Sequence, residues 1–226
     1  MSQTIQLYHG SPKIVPHPCL GGGKKNNDYG SGFYCTRELS MAYEWAKPGL
    51  EPGFANTYVL NPEGLSTLYL NKSPYHILNW LAVLLQNRSF FLPDGIAKES
   101  RDYILSEFLP DYENYDLIVG LRADDSYFAF AKSFLNGGIS LAQLAQSMKL
   151  GKMGEQTVLK SHRAFEALLF LGAVEVPDEF AARRQARDEA ARAGFAKIAK
   201  SPSHEEDIFM IDILRNKWKN DDERLF

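Results

Sequence analysis

The chain has 226 residues, 45% of them in the hydrophobic set and 12% aromatic, enough apolar material for one sizeable core or one core with a helical appendage. Its 25 Lys and Arg against 28 Asp and Glu give a formal charge of -3, so no global positive field marks nucleic acid or an anionic membrane as the partner. Two cysteines, Cys19 and Cys35, are too few for a disulfide framework and lack the His and Cys spacing of a zinc site, so both are expected as reduced thiols with no metal.

The opening residues lack the charged and apolar regions of a signal peptide, and no stretch approaches the roughly 18 apolar residues of a spanning helix. The expectation is a soluble, cytoplasmic protein with no membrane partner. Residues 4 to 9 alternate polar and apolar as a half-buried strand does, and Gly10, Ser11 and Pro12 end it. The segment 15–28, rich in Gly, Pro and Asn, reads as a loop. Residues 32–36 read as a short aromatic strand, and 37–46 as a helix with Leu39, Ala42, Tyr43 and Ala46 on one side.

Residues 57–60 and 67–70 read as strands separated by the turn tetrad Asn61-Pro62-Glu63-Gly64. Helices are expected from Pro74 to about Asn87 and from about Ala97 to Leu109. Residues 115–120 form the clearest buried strand, and Asp124 and Asp125 stand where a helix would start. Leu141 to Leu150 reads as an amphipathic helix and 156–159 as a late strand. From Pro177 the composition shifts to Ala, Arg and Glu. Residues 178–200 therefore read as a mostly exposed helix, and Phe209, Ile213, Leu214 and Trp218 share one face of a final one. The reading is a core over 1–176 with a helical C-terminal extension, 177–226, packed on it.

Four signals stand in order: Tyr8-His9-Gly10-Ser11 closing the first strand, the segment Asp28 to Thr36, a helix with an aromatic face, and Gly154-Glu155-Gln156 opening a late strand. This series resembles the ADP-ribosyltransferase superfamily, in its diphtheria-toxin-like and poly(ADP-ribose)-polymerase-like branch, and is most similar to an uncharacterised bacterial toxin-like group. The resemblance covers roughly residues 4–172. It implies an α+β fold with a split antiparallel β-sheet core, surrounding helices and NAD as co-substrate. ADP-ribose would pass to a protein or nucleic-acid acceptor with release of nicotinamide. Small bacterial enzymes of this kind act as toxins paired with an antitoxin, or against phages.

The resemblance assigns catalysis to His9, Tyr34 and the late polar pair Glu155 and Gln156, and cofactor binding to His9, Gly10, Ser11, Gly32, Tyr34 and Tyr43. The family histidine bonds the adenine-side ribose, the glycine backbone grips the nicotinamide carboxamide, and the tyrosine stacks on the ring. A glycine leaves room for a flat amide, and alternation sends Phe33 and Tyr34 to opposite faces. Tyr43 or Trp45 would supply a second aromatic face. The late position departs from the family pattern. Members usually carry Glu, whose carboxylate bonds a ribose hydroxyl and faces the charge that develops there; here Gln156 takes the best register, with Glu155 at the rim. Glutamine can hydrogen-bond a hydroxyl but brings no charge and is no base.

Gly21-Gly22-Gly23-Lys24-Lys25 lacks the ending of a phosphate loop, and the glycines near Tyr34 lack a Rossmann setting. His17, His76, His162 and His204 read as structural or surface residues. Lys24, Lys25, Arg37 and Arg88 are candidates for the pyrophosphate, with solvated surface charge as the plainer reading. Two rivals stand beside the enzyme: an NAD-binding or ADP-ribose-binding module without turnover, for which a Gln156→Glu change would gain activity, and an interaction protein acting through its C-terminal helices.

Overall fold

A computed structural model describes residues 4–47, 49, 51–123, 127–150 and 154–226. The fold is α+β, with two sheets and eight α-helices among the described residues. The first sheet has the order β1-β3-β7, all antiparallel, from β1 (Ile5–Ser11), β3 (Phe54–Leu60) and β7 (Leu168–Glu175). The second has the order β2-β6-β5-β4, from β2 (Phe33–Cys35), β6 (Glu155–Leu159), β5 (Leu117–Leu121) and β4 (Thr67–Tyr69).

Strand alternation distributes side chains between two cores. Phe33, Cys35, Leu117 and Leu159 point between the sheets, where they meet Leu7, Tyr58 and Leu60. Their neighbours Tyr34, Ile118 and Val158 point to the other face of the second sheet. There they meet α2 (Ile77–Asn87), α3 (Ile96–Phe108), α4 (Tyr127–Leu135), α5 (Leu141–Ser147) and α8 (Met210–Asn216). Covered on both sides, β5 carries the continuous apolar run Leu117, Ile118 and Val119. The outer face of the first sheet takes α1 (Leu39–Ala46), where Ala42 and Ala46 lie against Ala55. A short α6 (His162–Glu166) joins β6 to β7.

The expected all-antiparallel core needs correction, because β4 pairs in parallel with β5. A parallel pair needs a long crossover, and α2 and α3 supply it. The segments at 57–60 and 67–70 consequently belong to different sheets despite the turn between them. β7 escaped the sequence reading: its run Leu168-Leu169-Phe170-Leu171 does not alternate in polarity, and Leu169 and Leu171 remain exposed. Helix α2 starts at Ile77 rather than Pro74. His76 Nδ1 accepts from Leu78 N and Asn79 Oδ1 accepts from His76 N, which caps the helix there. The final helix stops before Trp218, at Lys217 in the left-handed region with φ 53°. Asp124 and Asp125 lie outside the described residues.

The C-terminal helices pack on the core. On α7 (Glu179–Lys200), Phe180 meets Tyr43 edge-on at 4.7 Å, Arg187 pairs with Glu44 at 2.8 Å, and Phe195 stacks on Phe130 at 4.1 Å. No described helix is long and apolar enough to cross a membrane.

Candidate functional site

β1 and β2 are joined by one backbone bridge, in which Tyr8 N donates to Thr36 O at 2.8 Å and Thr36 N to Tyr8 O at 2.9 Å. Beyond it the strands part. β1 stays with β3 as far as Ser11, while β2 stays with β6. A cavity of about 470 Å³ opens in this split, within the size range of small-molecule sites. Tyr8 directs its N–H and C=O to β2, so Gly10, two residues on, directs its own the same way, into the opening.

His9 reaches across the split. Its Nδ1 lies 2.7 Å from the Tyr34 carbonyl oxygen, and its ring lies over Phe33 at 4.3 Å. A carbonyl only accepts, so in neutral His9 the proton sits on Nδ1 and Nε2 is left as an acceptor. Burial holds the His9 pKa below the ordinary histidine value, which keeps the ring neutral. Tyr34 is fixed at both ends of its hydroxyl: it donates to Gly30 O at 2.6 Å and accepts from Tyr29 N at 3.1 Å. Burial pushes that hydroxyl far above the usual tyrosine range, so it remains protonated.

The floor is formed by Gln156 and Asp28. Gln156 is 2% exposed, and its Nε2 donates to Asp28 Oδ2 at 3.0 Å and to Leu121 O at 3.3 Å. Asp28 Oδ2 also accepts from Ala123 N at 2.9 Å, and Oδ1 lies 3.7 Å from an Arg88 guanidinium nitrogen. Burial raises the Asp28 pKa, opposed in part by these hydrogen bonds and by the charges of Arg88 and Arg122. Trp45 lines one side with the Arg122 guanidinium 4.5 Å over its ring, and its indole N–H is buried without a protein acceptor. Lys24, Arg88 and Arg122 give the lining a positive character.

A family model described as "Protein of unknown function (DUF3990)" matches residues 5–170. The chain belongs to the DUF3990 family. The matched segment runs from β1 into β7 and includes every cavity residue named above, whereas α7 and α8 follow it. Neither the curated proteins nor the solved structures give a match.

In this DUF3990 chain the cavity brings together His9, Gly10, Gly32, Tyr34 and Gln156 from among the residues singled out in the sequence. Ser11, Tyr43 and Glu155 do not line it. Ser11 Oγ donates to Lys13 O and accepts from the buried Asn56 at 3.3 Å, tying down the exit of β1. Tyr43 turns to Phe180 of α7. Two residues apart on a helix point to nearly opposite sides, so Trp45 enters the cavity and Tyr43 leaves it. Glu155 is exposed and hydrogen-bonds Asn71, because its neighbour Gln156 takes the inward face of β6.

Gly10 has a second reason to be glycine. A Cβ there would lie 2.0 Å from Ala42 O and 2.7 Å from Ala46 N, so the missing side chain admits α1. Gly32 is similar, its Cβ falling 2.6 Å from Val158 Cγ1. Of the basic candidates Lys24 and Arg88 reach the cavity, and Lys25 and Arg37 do not. His17, read as structural or surface, and Cys19, read as a reduced thiol, line it as well. Asp28 was missed although it opens the Asp28–Thr36 motif; a carboxylate in the same motif as Tyr34 was the available signal. No group of three or more His, Cys, Asp or Glu suited to a metal occurs among the described residues.

Proposed function

We propose that this DUF3990 protein binds NAD in the split between its sheets and transfers ADP-ribose to a protein or nucleic-acid acceptor, releasing nicotinamide. One observation carries the reading: His9, Tyr34 and Gln156, far apart in the chain, line a single cavity beside the open backbone edge of Gly10. The resemblance of the sequence to ADP-ribosyltransferases supplies the chemistry.

The parts suit the ligand. The Gly10 N–H and C=O match the acceptor and donor of a carboxamide, and the Tyr34 ring provides a flat wall for an aromatic ring. Neutral His9, with Nε2 as acceptor, takes a ribose hydroxyl. Lys24, Arg88 and Arg122 suit a pyrophosphate. Holding both ends of the substrate fixes the glycosidic bond between them, so binding energy is spent on orientation at the reacting carbon.

The test is incubation with NAD labelled in its ADP-ribose part together with cell lysate, alongside direct NAD binding and nicotinamide release. Transfer of label is expected, reduced at least tenfold in His9→Ala, Tyr34→Ala and Gln156→Ala proteins. Absence of NAD binding, or transfer untouched by all three changes, refutes the assignment. Binding without release would instead support the non-catalytic module.

A further inference from the structure

The carboxylate that the late strand lacks is present from another part of the chain. Asp28 lies across the cavity floor from Gln156, joined to it by the 3.0 Å hydrogen bond, and is itself only 5% exposed. We infer that Asp28 is the catalytic carboxylate of this site, facing the charge that develops on the ribose, and that Gln156 is its positioning residue. The inference rests on the NAD reading of the cavity.

Three observations support it. First, the fold does not need the charge. Both backbone and side-chain donors to Asp28, Ala123 N and Gln156 Nε2, converge on the same oxygen, Oδ2. The oxygen of an asparagine accepts two such bonds equally well. Second, Oδ1 accepts neither of those bonds, lying at 3.7 Å from Arg88 on the cavity lining. A buried carboxylate with one oxygen anchored and the other turned to a cleft is a functional arrangement more than a stabilising one. Third, the identities at the two positions are complementary. Glu at 156 would oppose its carboxylate to that of Asp28, so an acid at 28 calls for an amide at 156, whose N–H donates to it.

In the step so assigned, the bond between ribose C1′ and the pyridinium nitrogen breaks with both electrons going to nitrogen, and neutral nicotinamide leaves. The Asp28 carboxylate faces the positive charge left on the ribose. A lone pair of the acceptor closes the new bond to C1′, and the acceptor's proton passes to Asp28 and on to water.

The charged and titratable groups that face Asp28 are Arg88 beyond α2, Arg122 beyond β5, and the hydroxyls of Tyr29 and Tyr34. Lys24 and His9 share its cavity. Both phenols stay protonated, and burial keeps His9 neutral. Asp28 is therefore the group expected to set the acid limb of the rate profile, raised by burial from the ordinary aspartate value. Loss of the Gln156 hydrogen bond, which favours the ionised form, moves that limb to still higher pH.

The experiment compares the full-length wild type with Asp28→Asn and Gln156→Ala for NAD affinity, nicotinamide release against pH, and thermal midpoint. Asp28→Asn is expected to bind NAD within threefold of wild type and to release nicotinamide about 100-fold more slowly. Its midpoint at pH 7 should equal or exceed that of wild type, because folding no longer buries a charge. Gln156→Ala should shift the acid limb upward. Active wild type with an equally active Asp28→Asn protein overturns this inference alone. So does an Asp28→Asn midpoint well below that of wild type at pH 7, which makes the carboxylate a structural group. A wild type that binds no NAD overturns the reading of the cavity and this inference with it. Binding without release overturns the catalytic role and leaves the cavity reading standing.

Discussion

Gln156→Glu, the change that restores the usual family residue, is expected to damage this protein. Gln156 Nε2 lies 3.0 Å from Asp28 Oδ2 and 3.3 Å from the Leu121 carbonyl oxygen, so glutamate places an acceptor against two acceptors. Two unit charges at that 3.0 Å separation repel by about 5–6 kcal/mol at an effective dielectric constant of about 20. Protonating a carboxylate of ordinary pKa, about 4.3, costs about 4 kcal/mol at pH 7. The smaller figure wins, and the pair takes up one proton. That proton restores a hydrogen bond between the carboxyl groups, and the Leu121 carbonyl, which gives up the Gln156 donor, keeps those of the Tyr29 hydroxyl and the Trp80 indole N–H.

The loss of stability is therefore about 4 kcal/mol at pH 7, and the linkage has a definite sign. Because the pair's upper pKa is raised in the folded state, the loss is complete above that pKa and shrinks as pH falls toward the unfolded value. Urea unfolding at pH 5 should show a deficit about 3 kcal/mol smaller than at pH 7. Equal deficits at both pH values, or none at pH 7, would refute the Asp28–Gln156 arrangement. Higher activity in the variant would refute the argument that one carboxylate is already in place.

Gly10→Ala should lower the thermal midpoint by roughly 10 °C, since a Cβ 2.0 Å from Ala42 O forces α1 outward at a cost of about 3 kcal/mol. An unchanged midpoint in a melting scan would mean that α1 does not seat on β1 in this way. Glu155→Ala should leave nicotinamide release within twofold of wild type, because the side chain is exposed and bonded to Asn71. A loss of tenfold or more would return Glu155 to the site.

Local pattern and tertiary assembly divide the information about this protein between them. Alternation along 4–9 and the apolar runs within 115–120 and 156–159 were enough to locate β1, β5 and β6, the last two because they lie inside a sheet covered on both faces. The strand period of two predicted that Gln156 and Glu155 face opposite ways. It also left Tyr34 opposed to Phe33, and those two side chains enter different cores. The ordered motifs, read one at a time as ordinary strand ends and aromatic runs, had their weight only in combination, and the cavity is where His9, Tyr34 and Gln156 combine.

Other features depend on what meets what. The parallel pairing of β4 with β5 follows from where two helices return the chain, which no strand records in its own residues. Trp45 rather than Tyr43 faces the cavity because α1 rolls its alanines onto Ala55 and Tyr43 onto Phe180, a rotation set by the partners of the helix. Gly10 is required both by the open backbone edge on one side and by α1 on the other, and only the second is visible from packing. Asp28 stands 128 positions from Gln156. Charge and amide become one unit there because a hydrogen bond joins residues by distance in space, and sequence separation leaves no trace of it.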